Sequence, residues 1–353
     1  MANKTYKTLI LGYFGYRTNQ LDGQTVKTRN ILHLLNSKLR PNSVKYFDTE
    51  ELHYNKSSIF TMLKLVCRCH KLVYIPAQNN LKYFAFPLYI LSILFHFKVI
   101  HVTVGGWLTN FLQKHSLTKY AVSNYEVILT EAEIDKEHLT HQFGFHHVLV
   151  FPNFRVDSYS PPSAKTHDLN RASIFRIVFM ARINKKKGLD WMDKLASHIE
   201  DNYAKGKVII DFYGPLFEGD KAFFSEMLSR HPLTMNYKGA LNPSEIVQTL
   251  SEYDVLVLPT HYYTEGFPGS ILDAYRSGIP VIVTEWQHAK QFVRNGETGC
   301  IVPFKNGEGE LCKKVDLLIN NPEKLKYLKK QALKESLLYT PESAWKILKQ
   351  YFV

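Results

Sequence analysis

Short apolar runs recur along this chain, each followed by a segment long enough for a helix. Thr8-Leu9-Ile10-Leu11 stops at Gly12, and an amphipathic helix is predicted from about Gln24 to Leu39, with Val26, Ile31, Leu32, Leu34 and Leu35 on its apolar face. Further β-rich runs follow at Leu72–Ile75, Lys98–Ile100, Val127–Leu129 and Val148–Phe151, the last ending at Pro152. Strands that alternate with helices predict a parallel sheet covered on both faces. Residues 157–172 interrupt the rhythm with Ser158, Ser160, Pro161, Pro162 and Ser163 and read as an interdomain linker. The rhythm then resumes, with strands at Phe175–Met180, Val208–Tyr213, Asp254–Leu258 and Ile279–Val283 and a helix at Leu189–Ile199. The whole predicts two α/β domains in series, with chemistry at the carboxyl ends of the strands.

Composition narrows the class. A chain of 353 residues, 45% hydrophobic and 22% charged, is long enough for two cores of a soluble globular protein. The opening Met1–Thr8 is polar and leads into Leu9–Leu11 with no long apolar core or cleavage site, so no signal peptide is expected. Tyr83–Phe97 contains Pro87 and His96 and falls short of the ~20 residues that span a bilayer, which makes it a buried or interfacial helix. The four cysteines lack finger spacings and fit a reducing compartment; Cys67-Arg68-Cys69-His70 has no further ligands near it.

Charge is uneven. Residues 1–165 hold 19 Lys and Arg against 10 Asp and Glu, while the whole chain carries a formal net charge of +12. From Leu52 to Tyr125 there is no acid, only Lys56, Lys64, Arg68, Lys71, Lys82, Lys98, Lys114 and Lys119 among many aromatics. Such a surface suits an anionic lipid face or a phosphorylated acceptor. Solvated lysines over an ordinary strand–helix core are the bland alternative, and no nucleic-acid-binding signature accompanies the charge.

Two stretches carry chemistry. Pro259–Thr284 reads PTHYYTEGFPGSILDAYRSGIPVIVT: a strand ends, a glycine-bearing loop follows, and a helix is predicted to start near Gly269 or Ser270. Free N–H groups at that start would suit a diphosphate. Glu265 and Asp273 could accept hydrogen bonds from sugar hydroxyls. Asp273, placed in the first helical turn, also fits a capping box with Ser270. Phe179–Asp190 reads FMARINKKKGLD, with Arg182 and Lys187 near a strand end, where fixed positive charge can neutralise a leaving diphosphate. Lys185 and Lys186 read as a solvated turn.

The two stretches, about 80 residues apart in this order, resemble the retaining family 4 glycosyltransferases of the GT-B fold. ARINKKKG is similar to that family's Arg-x(4)-Lys-Gly segment, and Glu265 and Asp273 fall on the acids of its E-x(7)-E motif. DFYGP at 211–215, YKGALNPSEIV at 237–247, NGETGCIVP at 295–303, FPNF before the linker and GYFGYRTNQLDGQTVKTRNIL near the start also fit. The resemblance implies an α/β protein of two Rossmann-like domains facing each other across a cleft. Residues 1–160 would bind the acceptor and 161–339 the donor, with a terminal helix at about 340–353 packing back onto the first domain.

By the same resemblance, Arg182 and Lys187 hold the donor diphosphate, and Glu265 meets the donor sugar with Gly266, Phe267 and Gly269 nearby. Ser270 lies at the helix start, and Asp273 binds ribose. Gly23 and Gln24 bring a second helix start to the donor, and Lys238 to Leu241 lie near the base. Catalysis is assigned to Arg182, Lys187 and Glu265. The implied activity is retaining, metal-independent hexosyl or N-acetylhexosaminyl transfer from a nucleotide sugar, UDP-linked first and GDP-linked next. The acceptor would be a glycan or lipid-linked hydroxyl in cell-surface polysaccharide biosynthesis. No cofactor is expected beyond that co-substrate, and no nucleic-acid partner. The expected location is the cytoplasm, with peripheral contact on the cytoplasmic membrane face.

The chain departs from the family pattern twice. Asp273 is one methylene shorter than the usual Glu, and Gly105 in HVTVGGWL stands where many members carry histidine. His101 lies inside the predicted strand and reads as structural. Two other readings share the fold: a catalytically silent partner subunit and a nucleotide-sugar epimerase. A phosphorylase would need a pyridoxal phosphate lysine segment, which the sequence lacks.

Overall fold

The computed structural model describes residues 6–20, 22–156 and 174–352. The Ser/Pro-rich stretch read as a linker lies outside them. The chain divides into two compact units, Met1–Val156 with Tyr339–Val353, and Asp157–Leu338. The first is built on β1 (Thr8–Gly12), β2 (Val44–Asp48), β3 (Lys71–Ile75), β4 (Lys98–Val102), β5 (Val127–Thr130) and β6 (Val148–Val150). The second is built on β7 (Phe175–Met180), β8 (Val208–Tyr213), β9 (Met235–Gly239), β10 (Val255–Leu258), β11 (Val281–Thr284) and β12 (Gly299–Val302).

All pairings are parallel, in the orders β2-β1-β3-β4-β5-β6 and β12-β11-β10-β7-β8-β9. The second order is the doubly wound arrangement, in which chain direction across the sheet reverses between β7 and β10. In the first sheet the reversal falls between β1 and β3. These are the places where loops part and leave room for a ligand.

Burial explains the continuous apolar runs. Every residue of β1, β5, β10 and β11 is buried, as expected of strands covered on both faces. In the first unit Leu9, Leu11, Leu72, Tyr74, Val99 and Ile128 face one core. Ile10, Val73, Ile75, Ile100, Val127 and Leu129 face the other, the alternation that a pleated strand imposes. Ala344 and Leu348 of the helix Pro341–Leu348 belong to that second core. Tyr83–Phe97 lies mostly in the helix Gln78–Phe95, which buries Leu81, Ala85 and Leu88 and exposes Tyr83, Ile90, Ile93 and Leu94. Among the described residues no helix is long and apolar enough to cross a membrane.

Candidate functional site

In the second unit the β7 and β10 loops leave adjacent strands, paired Val255 to Ile177 and Leu256 to Val178, on either side of the reversal. Glycine sets their spacing. Gly188 has φ +88, and a Cβ there would lie 2.1 Å from the Pro259 carbonyl oxygen, so the lysine turn Lys185–Lys187 can press directly on the β10 loop. Backbone N–H of His261 donates to the Lys186 carbonyl at 2.8 Å, and Thr260 Oγ1 donates to the same oxygen at 3.3 Å. Asn184 caps the turn by accepting from the Lys187 N–H at 3.1 Å. So held, Lys187 Nζ forms an ion pair with Glu265 Oε2. Thr260 Oγ1 also reaches Glu265 Oε2, at 3.3 Å. Both side chains of the pair stay partly open, 22% and 16% exposed.

A second glycine places Arg182. A Cβ on Gly214 would lie 1.9 Å from the Ala181 carbonyl oxygen, so the FYGP turn after β8 lies flat against the end of β7. Ile183 N–H donates to the Pro215 carbonyl at 2.9 Å. Arg182, between these anchors, is exposed. Lys185 lies over the Phe223 ring at 4.4 Å, and both it and Lys186 are exposed, a solvated turn.

The helix near the β10 loop runs Gly269–Arg276 with Pro268 as its N-cap and no side-chain cap bond. The helix start at Gly269 is as expected, but two readings are corrected: Ser270 is not a cap, and Asp273, the fifth helical residue, lies just past the first turn. Asp273 is 4% exposed, and its Oδ1 lies 3.8 Å from Arg276 Nη1. Phe267 is buried and stacked on Phe292, with centroids 4.2 Å apart. Its ring therefore anchors the loop, leaving the Gly266–Ser270 main chain as the part a ligand could meet.

At the end of β9, Lys238 Nζ lies 4.0 Å from Asp211 Oδ1. Asp211 is buried and accepts from Asn236 Nδ2 at 3.0 Å and Tyr253 OH at 2.7 Å. Leu241, two residues past β9, is half-buried. Sequence reasoning missed Thr260 and the His261–Asp190 pair, Nε2 to Oδ1 2.8 Å, although both lie inside the quoted motifs. It also passed over Tyr262 and Tyr263, 47% and 54% exposed beside Glu265.

In the first unit Gly23 and Gln24 open the helix Gly23–Lys38, where Asp22 and Thr25 form a capping box. Gln24 Nε2 reaches the Ile75 carbonyl at 3.4 Å, at the β1–β3 reversal. The preceding loop is held by acids not foreseen: Asp48 accepts from Phe14 N–H at 3.0 Å, and Glu50 from Arg17 N–H at 3.0 Å and Thr18 Oγ1 at 2.6 Å. His101 is 1% exposed, and among the described residues neither ring nitrogen has a hydrogen-bond partner. Burial lowers its pKa to about 3, so it is a neutral ring between Tyr74 and Tyr125. Gly105 follows β4 with φ +80. Cys67, Cys69 and His70 do not converge, since Cys69 Sγ donates to Val66 O and His70 Nδ1 faces Tyr6 O. Among the described residues no group of three or more His, Cys, Asp or Glu could hold a metal ion.

Two parallel six-stranded sheets with loops of this build define a class: an α/β protein of two Rossmann-like domains, the GT-B fold. Anabaena HepE in complex with UDP and glucose has the same fold, at TM-score 0.70 and 15% identity over 98% of this chain and 99% of that one. Sucrose-phosphate synthase from Thermosynechococcus elongatus matches at TM-score 0.75 and 13% identity over 99% and 98%. At such identities the likeness speaks for the fold alone.

Residues 170–335, nearly all of the second unit, match the family model "Glycosyl transferases group 1". Among curated relatives is the N,N'-diacetylbacillosaminyl-diphospho-undecaprenol alpha-1,3-N-acetylgalactosaminyltransferase of Campylobacter jejuni, 32% identical over 105 residues. The match covers 30% of this chain and 27% of that protein. The capsular polysaccharide biosynthesis glycosyltransferase CapM of Staphylococcus aureus is 28% identical over 183 residues, 51% of this chain and 45% of CapM. The chain therefore spans less than half the length of these curated relatives.

Proposed function

We propose that the protein is a retaining glycosyltransferase. It would move a hexosyl or N-acetylhexosaminyl group from a nucleoside diphosphate sugar, UDP-linked before GDP-linked, to a hydroxyl of a glycan or lipid-linked acceptor. The observation that carries this reading is the contact of Lys187 with Glu265 at the β7–β10 reversal, enforced by Gly188. A cation and a carboxylate on facing loops give one group for a diphosphate and one for sugar hydroxyls.

In this mechanism Arg182 and Lys187 stabilise the charge that develops on the departing diphosphate, in a site that is fixed before substrate arrives. Glu265 orients both the Lys187 ammonium and the donor sugar. Asp273, steadied by Arg276, takes the ribose. Lys238 and Leu241 border the base, and main-chain groups from Gly266 to Ser270 line the remaining side. A donor phosphate oxygen assists removal of the acceptor proton on the same face as the leaving group, so the anomeric configuration is kept. Charge neutralisation by Arg182 and Lys187 makes a metal ion unnecessary.

The acceptor is assigned to the first unit. The Campylobacter relative, by its name, acts on an undecaprenol-linked glycan, and the Staphylococcus relative serves capsule synthesis. The helix Gln78–Phe95 turns Tyr83, Ile93 and Leu94 to solvent within the acid-free, lysine-bearing span. That suits peripheral contact with an anionic membrane on its cytoplasmic face. Incubation with UDP- and GDP-sugars and a polyprenyl-diphosphate glycan should give a product with the donor's anomeric configuration by NMR. An inverted product, or none with any donor, refutes the reading. Failure of the protein to float with anionic liposomes would remove the membrane contact alone.

A further inference from the structure

At the carboxyl edge of the first sheet a complete ion pair is sealed from water. Lys27, on the second turn of the helix Gly23–Lys38, is 2% exposed, and Glu131, just past β5, is also 2% exposed. Lys27 Nζ donates to Glu131 Oε1 at 2.7 Å and to the Thr103 carbonyl, just past β4, at 3.1 Å. The other carboxylate oxygen accepts the Gly105 N–H at 3.2 Å. One ammonium and one carboxylate thus tie together a helix start, the loop after β4 and the loop after β5.

Burying two charges is costly, and an apolar pair of similar size is often as stable or more so. Fold stability therefore gives no reason to keep them. What the pair adds over an apolar one is direction: three loop segments are fixed by directed, charge-assisted bonds. Gly105 is held at φ +80 by one of these bonds, with a Cβ position only 3.4 Å from the Trp107 ring. Asp135 stands nearby, its carboxyl raised to about 7 by burial and then by the Glu131 charge.

We infer that Lys27 and Glu131 are positioning residues, whose ion pair presets the main chain around Gly105 against the start of the Gly23–Lys38 helix as a surface for the acceptor. The inference rests on the transferase reading and concerns the acceptor-side unit. Neither residue touches substrate; each acts through the backbone it holds.

The test compares the full chain with Lys27→Met, the double variant Lys27→Met/Glu131→Leu, and Glu131→Asp, which keeps the charge but shortens its reach. The single Lys27→Met strands a buried carboxylate and lowers the thermal midpoint. The double variant should recover the parent's midpoint while its 103–107 amides exchange with deuterium roughly 10-fold faster. Transfer should fall ~10-fold or more in kcat for the acceptor. Glu131→Asp should show the same faster exchange in a folded protein. Parent-like exchange at 103–107 in both the double variant and Glu131→Asp overturns the inference, as does a stable double variant with unchanged kcat. If the parent itself transfers no sugar, the transferase reading fails, and exchange at 103–107 alone then decides whether the pair holds the loop.

Discussion

The two units place a lysine–glutamate pair at the same kind of location, just past the carboxyl ends of a parallel sheet, and treat it in opposite ways. Lys187 and Glu265 are 22% and 16% exposed and meet between two loops at the chain reversal. Lys27 and Glu131 are 1% and 2% exposed by side chain and meet beneath the surface. Partial exposure of the first pair lets an arriving diphosphate reach both groups and compete for the Lys187 ammonium. The second pair has already been desolvated and cannot be re-partnered cheaply. Exposure, more than residue type, separates a pair that can bind a ligand from a pair that can only hold structure.

The largest effect should come from the glycine that sets the open pair. In Gly188→Ala the methyl would have to share space with the Pro259 carbonyl at a backbone angle only glycine adopts freely. Strain and overpacking together predict a loss on the order of 4 kcal/mol. Denaturant unfolding of the second unit should show it, and an unchanged midpoint would mean that the two loops are not locked together.

Next in size is the charge itself. Lys187→Ala, and separately Arg182→Ala, should cut turnover about 10²-fold or more, the usual cost of removing one group that stabilises developing charge. Parent-like turnover in either variant would remove that residue from the catalytic role.

A smaller effect tests the sealed unit. The folded-state pKa of His101 is lowered to about 3, below its unfolded value of 6.5. Unfolded chain therefore binds the proton that folded chain refuses, and the stability that goes with the neutral ring is present above pH 6.5 and lost as pH falls toward 3. His101→Phe removes this loss and two buried, unpartnered nitrogens. At pH 5 it should be more stable than the parent by about 2 kcal/mol, from 1.36 kcal/mol per pH unit below 6.5. The advantage should shrink at pH 8. Asp135 titrates in both proteins, so the difference between them is insensitive to it. A constant gap across this range would show that His101 is not kept neutral by burial.

How much could be read beforehand follows the same division. Strands buried on both faces announced themselves as apolar runs, and β7 and β8 fall on the expected residues. The strands missed, β2, β9 and β12, are all sheet edges. β2 buries only Val44 and Phe47, and β9 only Met235, so neither leaves a continuous apolar run. Missing β2 also hid Asp48 and Glu50, which hold the loop ahead of Gly23. Lys187 and Glu265 stood out because each sits in a glycine-marked loop after a strong strand. Lys27 and Glu131 are 104 positions apart, and no local pattern links them. Only the sheet brings them together. Asp273 was placed in the first turn because Ser270 looked like a cap, whereas Pro268 is the N-cap and Asp273 falls just past that turn.

The central claim is that the open pair forms part of a nucleoside diphosphate site. Thermal unfolding of the parent and of Lys187→Ala with UDP, GDP, ADP and their sugars tests it most directly. A nucleotide that binds only the folded chain adds roughly 2.7 kcal/mol at about 100 times its dissociation constant. The account predicts a clear upward shift of the parent's midpoint with UDP or UDP-sugar, and loss of most of that shift in Lys187→Ala. No shift with any nucleotide, or an equal shift in both proteins, would contradict it.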